Sequence, residues 1–130
     1  NGLVQLSYPA VSGNYYLAVK HRNSLQTWSS AAVSFTAGLI TAYNFTTASN
    51  KAYGDNMIET APGIWAIYTG DINNDGNIDI GDFAIWETAY DQLASGYISS
   101  DLNGDGNTDI SDYIIWETNY YELIAADYPF

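Results

Sequence analysis

The 130-residue chain has no cysteine, one histidine, one methionine, three prolines and only three basic residues. Without cysteine there is neither a disulfide framework nor a thiolate-bound zinc site, and an oxidising compartment is neither demanded nor excluded. Three bases against fifteen acids, a net charge of −12, leave no basic patch for nucleic acid. The single histidine, His21, sits between Lys20 and Arg22 with no acid nearby in sequence to orient it, so it reads as a surface residue, not a general base. There is no GxSxG elbow, zinc-binding helix motif or phosphate loop. Asp55 and Glu59 have too little chain around them for a glycosidase cleft. No apolar run reaches 18 residues, so no membrane span is expected. These absences together predict a chain that is not an enzyme. It opens on Asn1 without a Met or a signal sequence, as expected of a processed product, an expressed fragment or a part of a longer protein.

What is present is a repeat. Asp71 to Tyr90 reads DINNDGNIDIGDFAIWETAY and Asp101 to Tyr120 reads DLNGDGNTDISDYIIWETNY, with thirteen of twenty positions identical at an offset of 30 residues. Calcium takes six to eight oxygen ligands, and a twelve-residue loop supplies them from positions 1, 3, 5, 7, 9 and 12. Those positions are Asp71, Asn73, Asp75, Asn77, Asp79 and Asp82 in the first copy, and Asp101, Asn103, Asp105, Asn107, Asp109 and Asp112 in the second. Position 7 binds through its backbone carbonyl, and position 6 needs positive φ, where Gly76 and Gly106 stand. Position 8 is β-branched in both copies, Ile78 and Thr108, as suits a short strand contact between paired loops. Position 12 is Asp, where an EF-hand has Glu. The pattern predicts two Ca²⁺ ions.

The charge is divided unevenly. Residues 1–70 carry all three bases and two acids, whereas residues 71–130 carry thirteen acids and no base. Eight of those thirteen are loop ligands, so folding of this half is expected to be coupled to metal binding. Loops of this kind suit a compartment rich in calcium, which predicts a secreted or cell-surface protein.

Residues 1–69 read as β. Candidate strands are Leu3–Tyr8, Tyr15–Val19, Ala32–Phe35, Leu39–Phe45 and Ile64–Tyr68, separated by turn signals such as Ser12-Gly13-Asn14 and Arg22-Asn23-Ser24. Short strands at this spacing predict an antiparallel β-sandwich. A full sandwich needs about 100 residues, so this one is expected to be incomplete, with an open edge. Residues 70–130 form the second module, with helices predicted over Ile80–Tyr90 and Ile110–Tyr121. Each helix holds four consecutive apolar residues, Phe83-Ala84-Ile85-Trp86 and Tyr113-Ile114-Ile115-Trp116. Four residues encircle a helix and must be covered on several sides. Phe83, Trp86, Tyr113 and Trp116 are therefore the candidate partner-binding residues.

With Asp, Asn, Asp, Asn or Asp, and Asp at positions 1, 3, 5, 9 and 12, both loops resemble those of the type I dockerin family, whose modules carry two calcium loops each followed by a helix. The resemblance covers about half the chain and implies an α+β protein in two parts: the β-sandwich, then a dockerin-like pair of loop–helix motifs. It also implies a cohesin-like receptor as partner. Positions 10 and 11, often Ser/Thr in cellulosomal dockerins, are Ile80-Gly81 and Ile110-Ser111 here, which moves the partner away from the usual cohesin. The string NYYLAVKHRNSLQTWSSAAVSF, followed by YNFTTASNKAYG and APGIWAIYTGDIN, resembles a C-terminal region of large secreted proteins of Bacteroidota. More strand sequence precedes this point in those relatives, implying a first strand that is lost or supplied by another chain.

The leading expectation is thus a non-catalytic extracellular module that joins proteins. One alternative is a filament subunit that assembles with copies of itself by strand addition. Another is a carbohydrate-binding module, with a polysaccharide stacked on a platform drawn from Tyr15, Tyr16, Trp28, Tyr43, Tyr53, Trp65 and Tyr68; it would need coplanar, exposed rings. Asn44-Phe45-Thr46 is a candidate glycosylation sequon.

Overall fold

The computed structural model describes residues 11–130, so the expected strand Leu3–Tyr8 lies outside the described residues. Among these residues, six short strands form three separate two-stranded antiparallel ribbons. β1 (Gly13–Tyr15) pairs with β4 (Val33–Phe35), β2 (Ala18–His21) with β3 (Ser24–Trp28), and β5 (Ile58–Ala61) with β6 (Ile64–Ala66). Two helices follow, α1 (Ile80–Asp91) and α2 (Ile110–Tyr121), each opening directly from a repeat loop.

This corrects the expected fold. Among the described residues there is no sandwich and no dockerin-like helix pair. The strands run three to five residues, too short to present a broad apolar face. The expected strand Leu39–Phe45 does not form: Leu39 follows a turn at Gly38, whose φ is +80°, and Ile40 is 95% exposed. β3 and β5 lie outside the expected strands, and β3 buries polar side chains. Ser24 and Thr27 lie inside beside Leu25, and period-2 reading of apolar residues misses them.

The β2–β3 ribbon buries against the loops and helices through Leu25. The core cluster is Leu25 from β3, Ile78 from the first loop and Trp116 from α2, ringed by Tyr68, Phe83, Leu102, Tyr113, Tyr120, Ile124 and Ala126. Asn119, buried on α2, donates its amide to the Thr69 carbonyl at 2.7 Å. α2 is therefore packed on the β half as well as on α1.

The two helices meet through aromatic side chains. Phe83 lies within 5.3 Å of the Trp116 ring and 6.1 Å of Tyr113, and Trp86 within 5.2 Å of Tyr113. Each tryptophan also crosses to the other motif. The Trp86 indole donates to the Asp109 carbonyl at 3.3 Å, and the Trp116 indole donates to the Asp79 carbonyl at 3.2 Å. The loops do not pair with each other at position 8. The segment after α2 pairs with the first loop, through Ile78 N–H to Ile124 and Ala126 N–H to Gly76. The segment after α1 pairs with the second loop, through Thr108 N–H to Ala94 and Gly96 N–H to Gly106. Each loop is thus closed by the tail of the other repeat.

Leu25 joins the β half to both repeats, so Leu25→Ala is expected to cost about 2–5 kcal/mol and to leave a single unfolding transition. Denaturant titration followed by tryptophan fluorescence and far-ultraviolet dichroism checks this. Separate transitions by the two probes would show that the halves fold independently. Ile40→Ala, at an exposed site, should change stability by less than about 0.5 kcal/mol.

Candidate metal centre

Each repeat loop is curled by its own acids. In the first, Asp71 accepts the Asp75 and Gly76 N–H groups, Asn73 accepts Asp75 N–H, and Asp75 accepts Asn77 N–H, at 2.8–3.2 Å. These short-range bonds between Asx side chains and the backbone are what such residues favour outside helices. They wind the loop so that positions 1, 3 and 5 share one side. Position 9, Asp79, is the α1 N-cap and accepts Gly81 N–H at 2.7 Å. Asn73 and Asp79 approach each other there, both side chains lying against Gly81.

Position 12 ties the loop shut. Asp82 is fully buried, and its Oδ1 accepts the Ile72 and Asn73 N–H groups at 2.7 and 3.0 Å. Its Oδ2 accepts Asp79 N–H at 2.9 Å, completing a capping box at the start of α1. Asp112 does the same for Leu102, Asn103 and Asp109 at 2.7, 3.0 and 2.9 Å. The rest of the second loop follows suit: Asp101 takes Asp105 and Gly106 N–H, Asn103 takes Asp105 N–H, and Asp105 takes Asn107 N–H. The position-6 glycines, Gly76 and Gly106, have φ of +94° and +91°.

Burial divides the twelve candidate ligands. Asp71, Asp82, Asp101 and Asp112 are buried, Asp79 and Asp109 half-buried, and Asn73, Asp75, Asn77, Asn103, Asp105 and Asn107 exposed. Burial raises the pKa of Asp71 above its ordinary value, with the like charges of Asp82 and Asp75 adding to the effect. Asp82 is raised first by burial and then by Asp79. The outer acids go the other way: hydrogen bonds from Asn73 and Asn77 lower Asp75, and those from Asn103 and Asn107 lower Asp105.

The donor chemistry fits a hard cation, since all the side-chain ligands are oxygen donors of a size and charge that suit calcium. The carboxylates do not yet converge. Among the described residues no group of three or more His, Cys, Asp or Glu is gathered closely enough to hold an ion. Asn73 turns its amide nitrogen toward Asp75 at 2.8 Å, and Asn103 toward Asp105 at 3.0 Å. An ion would require those amides to present oxygen and the position-7 carbonyls to join.

The aromatic residues named as partner-binding are placed inside or at the edge of the core. Trp86 and Trp116 are buried, and Phe83 and Tyr113 are half-buried beside them. On the two helices the exposed isoleucines are Ile80, Ile85, Ile110 and Ile114, and Leu93 and Leu123, just beyond the helix ends, are exposed as well. In the β half the aromatic pairs are edge-on: Tyr15 with Phe35 at 78°, Tyr16 with Tyr53 at 82°, Tyr43 with Phe45 at 67°. They offer no coplanar platform. Trp28 is flanked by Tyr128 and Phe130. Asn44 is exposed, and its side-chain oxygen accepts the backbone N–H and hydroxyl of Thr46, both at 2.9 Å.

Sequence reasoning missed two residues at this centre. Arg22 and Asn23, in the β2–β3 turn, reach the carbonyl of Asp101, and Arg22 faces the Asp101 carboxylate at 3.6 Å. This is the one ion pair among the described residues. The available signal was scarcity, since the chain has a single arginine against fifteen acids. No helix among the described residues is long and apolar enough to cross a membrane. The chain matches no family model, no curated protein and no solved structure.

The raised pKa values of Asp71 and Asp82 fix a sign for the metal-free protein. A carboxyl whose folded pKa exceeds its unfolded value binds its proton more readily in the folded state, so it costs stability at high pH and the cost disappears on acidification. In EDTA the melting temperature should therefore rise as pH falls from about 7 toward about 4, against the usual trend of acid denaturation. Asp82→Asn should flatten that rise. A melting temperature that falls steadily with pH over this window would contradict it.

Proposed function

We propose that the chain is a non-catalytic, calcium-stabilised extracellular module that joins proteins, binding one Ca²⁺ in each repeat loop. One observation carries this reading: the backbone contacts of the first loop's ligands recur in the second, which adds one of its own, Gly104 N–H to Asp101 at 2.7 Å. Every contact made by Asp71, Asn73, Asp75, Asp79 and Asp82 to the backbone has its counterpart thirty residues on, to within 0.1 Å. A pair of merely structural turns has no need of four carboxylates in each copy, and crowding them without a counter-ion is unfavourable. A divalent ion offsets that repulsion and links metal loading to folding.

The partner in this reading is a cohesin-like receptor. Its support is the loop sequence and the apolar residues left exposed beside each loop, Ile80 and Ile110, 64% and 57% exposed. A second reading, assembly with further copies of the chain by strand addition, is favoured by the ribbons. Each of the six described strands has a single partner strand; β3 also bonds the backbone of residues 68–70 and β6 that of Thr46, and the edges left unpaired are templates for another chain.

Calorimetry tests the calcium step. A ligand at a thousand times its Kd adds about 4 kcal/mol per site, so millimolar calcium should raise the melting temperature well above that in EDTA. Asp75→Ala combined with Asp105→Ala should abolish the difference, and an unchanged melting temperature in the unaltered chain would remove the calcium reading. Electron microscopy of the purified protein in calcium separates the partners, because only self-assembly yields filaments without a second protein.

A further inference from the structure

The β2–β3 turn touches both repeat loops. On the first-loop side, Asn74 donates its amide to the Arg22 carbonyl at 2.8 Å. The Gly70 N–H and the Thr69 hydroxyl donate to the Asn23 carbonyl at 2.8 and 2.9 Å. On the second-loop side, Arg22 Nε donates to the Ile98 carbonyl at 2.9 Å and Nη2 to the Asp101 carbonyl at 3.0 Å. Asn23 adds its amide to the same Asp101 carbonyl at 2.8 Å. The guanidinium lies 4.2 Å above the Tyr97 ring, and its fork holds the Ile98 and Asp101 carbonyls together in a way lysine does not. Asn23 and Asp101 are both buried, so these bonds are shielded from water.

The contacts fall at defined loop positions: 4 in the first loop and 1 in the second. Position 4 is also one of the places where the loops differ, Asn74 against Gly104. Both are in the left-handed region, at φ +60° and +80°. Glycine adopts that conformation without strain and asparagine tolerates it. Loop geometry alone therefore does not require Asn74, whereas its bond to Arg22 does.

We propose that Arg22 and Asn23 are positioning residues that couple the two calcium loops, so that an ion in one favours loading of the other. The proposal rests on the calcium reading. An ion drawn into the first loop fixes Asn74 and the Thr69–Asp71 entry, and these hold the turn. The turn in turn holds the Asp101 carbonyl and faces its carboxylate, a ligand of the second loop. Groups behind the ligands commonly change metal affinity 10–100-fold, and a coupling of this kind is reciprocal between the sites.

Calcium titration of the full chain, followed by the amide resonances of Gly76 and Gly106, tests it. Each of these N–H groups bonds the position-1 carboxylate of its own loop, so each loop reports separately. In the unaltered chain both should respond over one calcium range, with a Hill coefficient above 1. Asn74→Gly, which copies the residue of the second loop, should leave the EDTA melting temperature nearly unchanged. It should nonetheless move the Gly106 response to about tenfold higher calcium, although it lies in the other loop. Arg22→Met should make the two curves independent. An unmoved Gly106 curve in Asn74→Gly, or independent loading in the unaltered chain, overturns the coupling alone. No calcium response from either glycine overturns the calcium reading and the coupling together.

Discussion

A buried carboxylate at the end of each loop organises the rest of the structure. Asp82 and Asp112 are both fully buried, and each accepts three backbone N–H groups. Two of those donors come from the loop entry and one from the helix N-cap. The same side chain therefore shuts the loop and begins the helix. Because the first turn of each helix is fixed this way, the direction of each helix, and hence the reach of Trp86 and Trp116, follows from it.

From there the repeats depend on each other. Each tryptophan donates to the N-cap carbonyl of the opposite helix, and each loop is paired with the tail that follows the opposite helix. Neither motif can bury its aromatic belt alone, since each helix is apolar round much of its circumference. The exchange covers Trp86 and Trp116, and it leaves Ile80 and Ile110 in solvent beside the loops. That exposed apolar surface is thus adjacent to the loop carboxylates.

The β half is built around the same centre. Its ribbons are short and share no common sheet, yet Leu25 is wholly buried because Ile78 and Trp116 close over it. The single arginine lies at the tip of the β2–β3 turn and engages the position-1 aspartate of the second loop. In a chain of net charge −12, one cation placed at the entry of an acidic loop relieves repulsion there. The Arg22 carbonyl, which accepts the Asn74 amide, extends that link to the first loop.

The repeat, the loops and both helices were legible in the sequence by itself, because those signals are local. Alternating Asx residues bond to backbone two to five residues away, position-6 glycine supplies positive φ, and the capping aspartates stand three residues apart. α2 ends where its periodicity ends, and α1 one residue beyond. The arrangement of the β half was decided by tertiary structure. Leu39–Phe45 looks like a strand and finds no neighbour to pair with, while Ser24–Trp28 looks polar and is drawn into the interior by contacts with residues more than forty positions away. Strand pairing and burial depend on what the rest of the chain brings alongside, so the ribbons in place of a sandwich, and the reach of Arg22 to Asp101 across 79 positions, were settled only when the chain closed on itself.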